Sequence, residues 1–72
     1  MTEAVNSRFQ ISLKAARVNA GLTVIEAAKL LGIGKDTLIK WEKDPRVVNT
    51  LRQENISSVY KIPIDNIFFG RN

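Results

Sequence analysis

The stretch from residue 23 to residue 42, TVIEAAKLLGIGKDTLIKWE, constrains this chain more than any other. Thr23 and Glu26 stand three apart ahead of an apolar run, the spacing of a capping box. In that device a hydroxyl takes a free N–H of the first turn and a carboxylate reaches back to the cap. The spacing predicts a short helix over about Val24 to Leu31. Gly32 follows it, where the backbone needs positive φ. Ile33 fills the turn, and Gly34 sits at the start of a second helix, from Lys35 to about Lys43, without a side-chain cap. Ala28 falls where two helices approach closely and only a small side chain fits. Leu38 and Trp41 return inward at a spacing of three. That periodicity leaves Lys35, Asp36, Thr37, Ile39 and Lys40 on the outer face of the second helix.

Two short helices joined by a glycine turn form the pattern of a helix-turn-helix, whose second helix enters a major groove. The outer face then has a chemical reading. Lys35 and Lys40 carry donors suited to guanine O6 and N7, or to phosphates. Either can equally be a solvated lysine. Asp36 can accept from cytosine N4, although an acid in the first turn also suits the helix dipole and repels phosphate. Thr37 can reach a base or a thymine methyl. Ile39 has no hydrogen bond to offer, and suits a thymine methyl or a protein contact. Lys43 and Arg46, just past the helix, are phosphate clamps in this reading, and the backbone N–H groups at Gly34 and Lys35 serve the same end.

Composition narrows the alternatives. The chain has 72 residues and a net charge of +4, near the lower limit for a self-sufficient core. It is expected to be one domain, residues 1–72, with 1–6 a frayed leader. The basic balance suits a polyanionic partner. Residues 29–46 carry five cations and three anions, a mixed surface with a basic bias. There is no Cys and no His. The expectation is therefore no metal site, no cofactor and no acid–base or nucleophilic catalysis. No apolar run approaches the roughly 20 residues that span a bilayer. MTEAVNSRF is not a secretory signal, so the expected location is the cytoplasm.

Outside the central pair, Asn6 or Ser7 is expected to cap a first helix from about Arg8 to Asn19, closed by Gly21. Phe9, Ile11, Leu13 and Ala15 also alternate with polar residues, a strand signature. The Ala-Ala pair and the caps favour helix. Pro45 ends the helix that begins at Lys35. Thr50 and Gln53 can form a second capping box, starting a helix from about Leu51 to Tyr60. A last short helix from Ile64 to Phe69 is expected to turn Ile64, Ile67 and Phe68 inward. Trp41 and Tyr60 are expected in the core, the latter with its hydroxyl outward. Phe69 is harder to bury beside Phe68 and is a candidate partner contact.

LKAARVNAGLT, the central pair and YKIPIDNIFFG together resemble the phage Cro/CI repressor family, also called the XRE family, over roughly residues 9 to 70. The resemblance implies an all-α, compact, five-helix lambda-repressor-like domain with the helix-turn-helix at helices 2 and 3. It also implies an ion pair between Arg17 of the first helix and Glu42 at the end of the recognition helix. There are departures. Val24 stands where the family usually has a Gln that contacts the DNA backbone, and the outer face lacks the usual Gln, Ser, Asn or Arg. The family resemblance implies operator DNA as partner, in a Cro-like regulator of a temperate phage's genetic switch, acting as a homodimer. The departures at Val24, Asp36 and Ile39 suit a second reading. Small members of this fold in phages of Gram-positive hosts act as modulators of repression, complexing the cognate repressor.

Overall fold

The computed structural model describes residues 9–70. Four α-helices stand in it: α1, Leu13–Asn19; α2, Val24–Leu31; α3, Lys35–Lys43; and α4, Thr50–Tyr60. Single 3-10 turns, Pro45–Val47 and Ile64–Asn66, follow α3 and α4. Among the described residues no helix is long and apolar enough to cross a membrane. The expected leader, and the caps at Asn6 or Ser7, lie outside the described residues.

Five helices were expected and four are present among the described residues: the first is shorter than expected and the fifth is absent. Helix α1 starts at Leu13, not Arg8, because Ser12 accepts the Ala15 N–H and caps it. The described residues before it, 9–12, are not helical. Ile11 forms a parallel bridge with Ile67, its N–H donating to Asn66 O and its carbonyl accepting from Phe68 N, both at 2.9 Å. Side chains reinforce the bridge: Gln10 donates to Asp65 O, and Asn66 Nδ2 to Phe9 O. The alternation at Phe9 and Ile11 is thus a true extended signal, and Phe9 stands outside the core at 65% exposure.

The same bridge replaces the expected fifth helix. After one 3-10 turn the chain extends, and side chains alternate sides. Ile67 and Phe69 therefore point inward and Phe68 outward, at 1%, 7% and 39% exposure. This reverses the expected burial of Phe68 and removes Phe69 as an exposed partner contact.

Helix α4 starts one residue early, capped by Asn49 rather than Thr50: Asn49 Oδ1 accepts from Arg52 N at 2.9 Å. Gln53 does not close a capping box, and its amide donates to Val48 O instead. The helix ends with Lys61 in the left-handed region at φ 57°. Ile62 N–H then returns to Ser57 O, and Ser57 Oγ donates to Ile62 O. A Cβ in that region costs about 1–2 kcal/mol, partly offset for glycine by its greater unfolded freedom. Lys61→Gly is therefore expected to stabilise the domain by about 0.5–1 kcal/mol. A rise in the thermal midpoint reads this out; a fall would mean that the lysine side chain holds the turn.

The core gathers residues from every helix, with Leu13, Leu38, Ile56, Tyr60 and Ile67 essentially inaccessible. Ala16, Ala27 and Ala28 are buried too, small enough to let helices approach. Helix α2 packs against α3 and α4, and α1 packs against the same two. The Tyr60 hydroxyl is not outward as expected. It is buried without a hydrogen-bond partner among the described residues. Burial, with the Glu42 carboxylate adding to it, pushes its pKa up to about 12, so the phenol stays neutral.

Candidate nucleic-acid interface

The capping box that opens α2 is complete. Glu26 N donates to Thr23 Oγ1 at 3.1 Å, and Thr23 N to Glu26 Oε1 at 3.0 Å. The helix closes at Gly32, φ 72° and ψ 31°, with Gly32 N–H on Lys29 O and Ile33 N–H on Ala28 O. These two bonds form a Schellman closure, which needs the left-handed residue that glycine supplies. Ile33 packs against the core from the turn. Gly34 then starts α3 with extended backbone and no side-chain cap. The turn between the helices is thus fixed by backbone hydrogen bonds and one apolar anchor.

Two contacts from outside the pair hold it in place. Arg17 of α1 reaches Glu42 near the end of α3, with Nε 2.7 Å from Oε2 and Nη2 3.5 Å from Oε1. Its Nη1 donates to Leu22 O at 2.9 Å. Both side chains of the pair are nearly buried, 9% and 12% exposed. The implied ion pair is therefore present, and one guanidinium ties α1, the α1–α2 connection and α3. The second contact was not legible in the sequence. Arg52 in the first turn of α4 donates from Nη1 to Leu31 O at 3.0 Å. It satisfies a carbonyl at the end of α2, which no helical N–H can reach.

The outer face of α3 carries the residues expected there. Lys35, Asp36, Thr37, Ile39 and Lys40 are all exposed, as are Gly34, Lys43 and Arg46. Leu38 and Trp41 turn inward. Among the described residues Lys35, Lys40 and Lys43 have no ion-pair partner. Arg46 differs: its Nε donates to Asp44 Oδ1 at 3.0 Å. That hydrogen bond holds the Asp44 carboxyl below its ordinary pKa and raises that of Arg46. Val24 is half-buried against the core rather than fully presented. Ile25 and Leu30 on α2 are exposed instead, at 66% and 60%. A three- to four-residue stripe could have singled them out as lying off the buried positions Ala27, Ala28 and Leu31.

A family model described as helix-turn-helix, of the XRE type, matches residues 13–67, more than half of the chain. The chain belongs to the XRE-type helix-turn-helix family. The match runs from the first residue of α1 to the bridge residue Ile67. It thus takes in the reader, both elements that brace it and the closing turn. Comparisons with curated proteins and with solved structures found no match. This family is one of DNA-binding transcription regulators, typically non-enzymatic. In a helix-turn-helix the first helix crosses the DNA backbone and the second is presented to base edges; α2 and α3 occupy those two places in the motif.

Proposed function

We propose that this helix-turn-helix protein is a small transcription regulator of the lysis–lysogeny switch of a temperate phage, binding operator DNA through α3. One observation carries the DNA-binding part: Lys35, Thr37 and Lys40 are exposed on a helix braced at its far end by the Arg17–Glu42 pair. A braced helix presents its donors in a fixed geometry, so less ordering free energy is lost on binding. In this proposal Lys35, Thr37 and Lys40 address base edges, with Asp36 accepting from cytosine. Lys43 and the N-terminal backbone at Gly34 and Lys35 address phosphates. A second copy on the neighbouring half-site, about 34 Å away, completes the operator complex and blocks polymerase sterically. The switch role itself rests on resemblance to the Cro-like members of the family.

The test is fluorescence anisotropy on the DNA flanking the protein's own gene, against a scrambled duplex, at two salt concentrations. Lys35→Ala with Lys40→Ala is expected to weaken specific binding about 10- to 100-fold. Unchanged affinity in a folded double variant would remove these lysines from the interface.

The exposed apolar residues of the reader favour a second reading. Ile25, Leu30 and Ile39 all stand in solvent on α2 or α3, and none can hydrogen-bond to a nucleic acid. Exposed apolar groups of this kind suit a protein surface. In this reading the protein is a modulator of repression that complexes the phage's own repressor and binds DNA only weakly. Ile39→Asp separates the two. Loss of repressor complexing with no appreciable DNA binding in the parent favours the modulator, and loss of DNA binding alone favours the regulator.

A further inference from the structure

Arg46 follows α3 in the 3-10 turn Pro45–Val47, where a cation would meet the DNA backbone if α3 entered a groove. It is not held as a free cation. Its Nε donates to Asp44 Oδ1 at 3.0 Å, and its aliphatic stem crosses Gly70. A Cβ built at Gly70 would collide with Arg46 Cγ and press on Cδ. Gly70 has φ 80°, a region that leaves the position to glycine on backbone grounds as well. The Arg46 side chain is thus steered from two sides, by a carboxylate and by a seat on the chain's closing turn. Lys35, Lys40 and Lys43 have no such partner among the described residues.

We propose that Asp44 is a determinant of DNA affinity, holding Arg46 in a locally neutral pair so that this cation is withheld from the phosphate backbone. The inference rests on the DNA-binding reading above. A phosphate approaching the free Nη atoms meets the Asp44 carboxylate beside them, and the repulsion cancels most of the guanidinium's attraction. The pair is solvent-exposed, 70% and 43% at the two side chains, so it tunes affinity rather than abolishing it. Removing the carboxylate frees one cation at the end of the reading helix.

A double-mutant cycle tests this: the parent, Asp44→Asn, Arg46→Gln and the double variant. Each is titrated by anisotropy into a short mixed-sequence DNA duplex over a series of salt concentrations. Asp44→Asn leaves intact the backbone hydrogen bonds Asp44 N to Lys40 O and Val47 N to Asp44 O, and thermal melts confirm folding. The expected result is that Asp44→Asn binds several-fold tighter and steepens the salt slope by about 0.9, the value of one phosphate contact. Arg46→Gln then changes the parent's slope little but removes that gain in the Asn background. Equal losses from Arg46→Gln in both backgrounds would overturn the proposal, since Asp44→Asn would then act only by adding net charge. A parent that binds DNA while Arg46→Gln is silent in both backgrounds overturns it too, and leaves the DNA-binding reading standing. No binding to this duplex by any of the four, down to the lowest salt, overturns this proposal, while the DNA-binding reading is then decided by the flanking-DNA titration above.

Discussion

Glu42→Ala is expected to cost the folded state about 3 kcal/mol, and to unfold a large fraction of molecules at modest urea concentration. The reasoning starts from burial. Arg17 is 7% exposed, and its guanidinium cannot lose its charge. With Glu42 present, Nε and Nη2 face the carboxylate and Nη1 faces Leu22 O. Removing the carboxylate leaves two N–H faces and a positive charge with no compensation, the costly way to break a buried pair. Net stability for a chain of this length is on the order of 5 kcal/mol, so most of it is lost. Urea unfolding followed by Trp41 fluorescence measures the change. Arg17→Met with Glu42→Leu should recover most of it, because well-packed apolar residues can replace a buried pair. A loss below about 1 kcal/mol would place the pair with ordinary surface ion pairs.

Leu38→Ala is expected to cost about 3 kcal/mol. Leu38 has 0% exposure and belongs to α3, which packs on α1 and α2. Truncation loses the transfer free energy of the removed carbons and leaves a cavity that the surrounding helices fill only in part. The neighbouring Ile39 supplies the control. It is 38% exposed on the outer face, and Ile39→Ala should change stability by no more than about 0.5 kcal/mol. The two variants thus separate the inner and outer faces of one helix at adjacent positions. The urea midpoint should fall for Leu38→Ala with an unchanged m-value. Similar losses for both would mean that α3 is rotated from the orientation described.

The reader was legible in the sequence because its determinants are local. Thr23 and Glu26 meet within one turn, Gly32 lies beside the carbonyls it helps satisfy, and Leu38 and Trp41 need only helical periodicity. The faces of α3 follow directly. The Arg17–Glu42 contact spans most of the reader and came through family resemblance rather than from spacing. What failed to read was set at long range. Phe9 and Ile11 look equally like the start of α1 until Ile67 pairs with Ile11. The parity of that bridge decides which of Phe68 and Phe69 faces inward. Asn49 outcompetes Thr50 as a cap by one position, a choice within the usual spread of helix boundaries. Arg52 on Leu31 O, and Arg46 across Gly70, join positions that no periodicity relates. Arg46 was therefore read as an ordinary phosphate clamp.

The bridge between Ile11 and Ile67 also has a topological meaning. It joins the two ends of the described chain and turns nearly all of it into one closed ring. Closing a ring this long carries an entropic cost that grows only with the logarithm of its length. The clasp nonetheless joins residues as far as 57 apart in sequence, while the reader is assembled from neighbours. The order of assembly follows: α2 and α3 can pair before the ring shuts. Because Ile67 and Phe69 belong to the core, opening the clasp breaks its hydrogen bonds and also exposes these two side chains, whereas the braces of the reader, Arg17 on Glu42 and Arg52 on Leu31, involve no residue of the clasp.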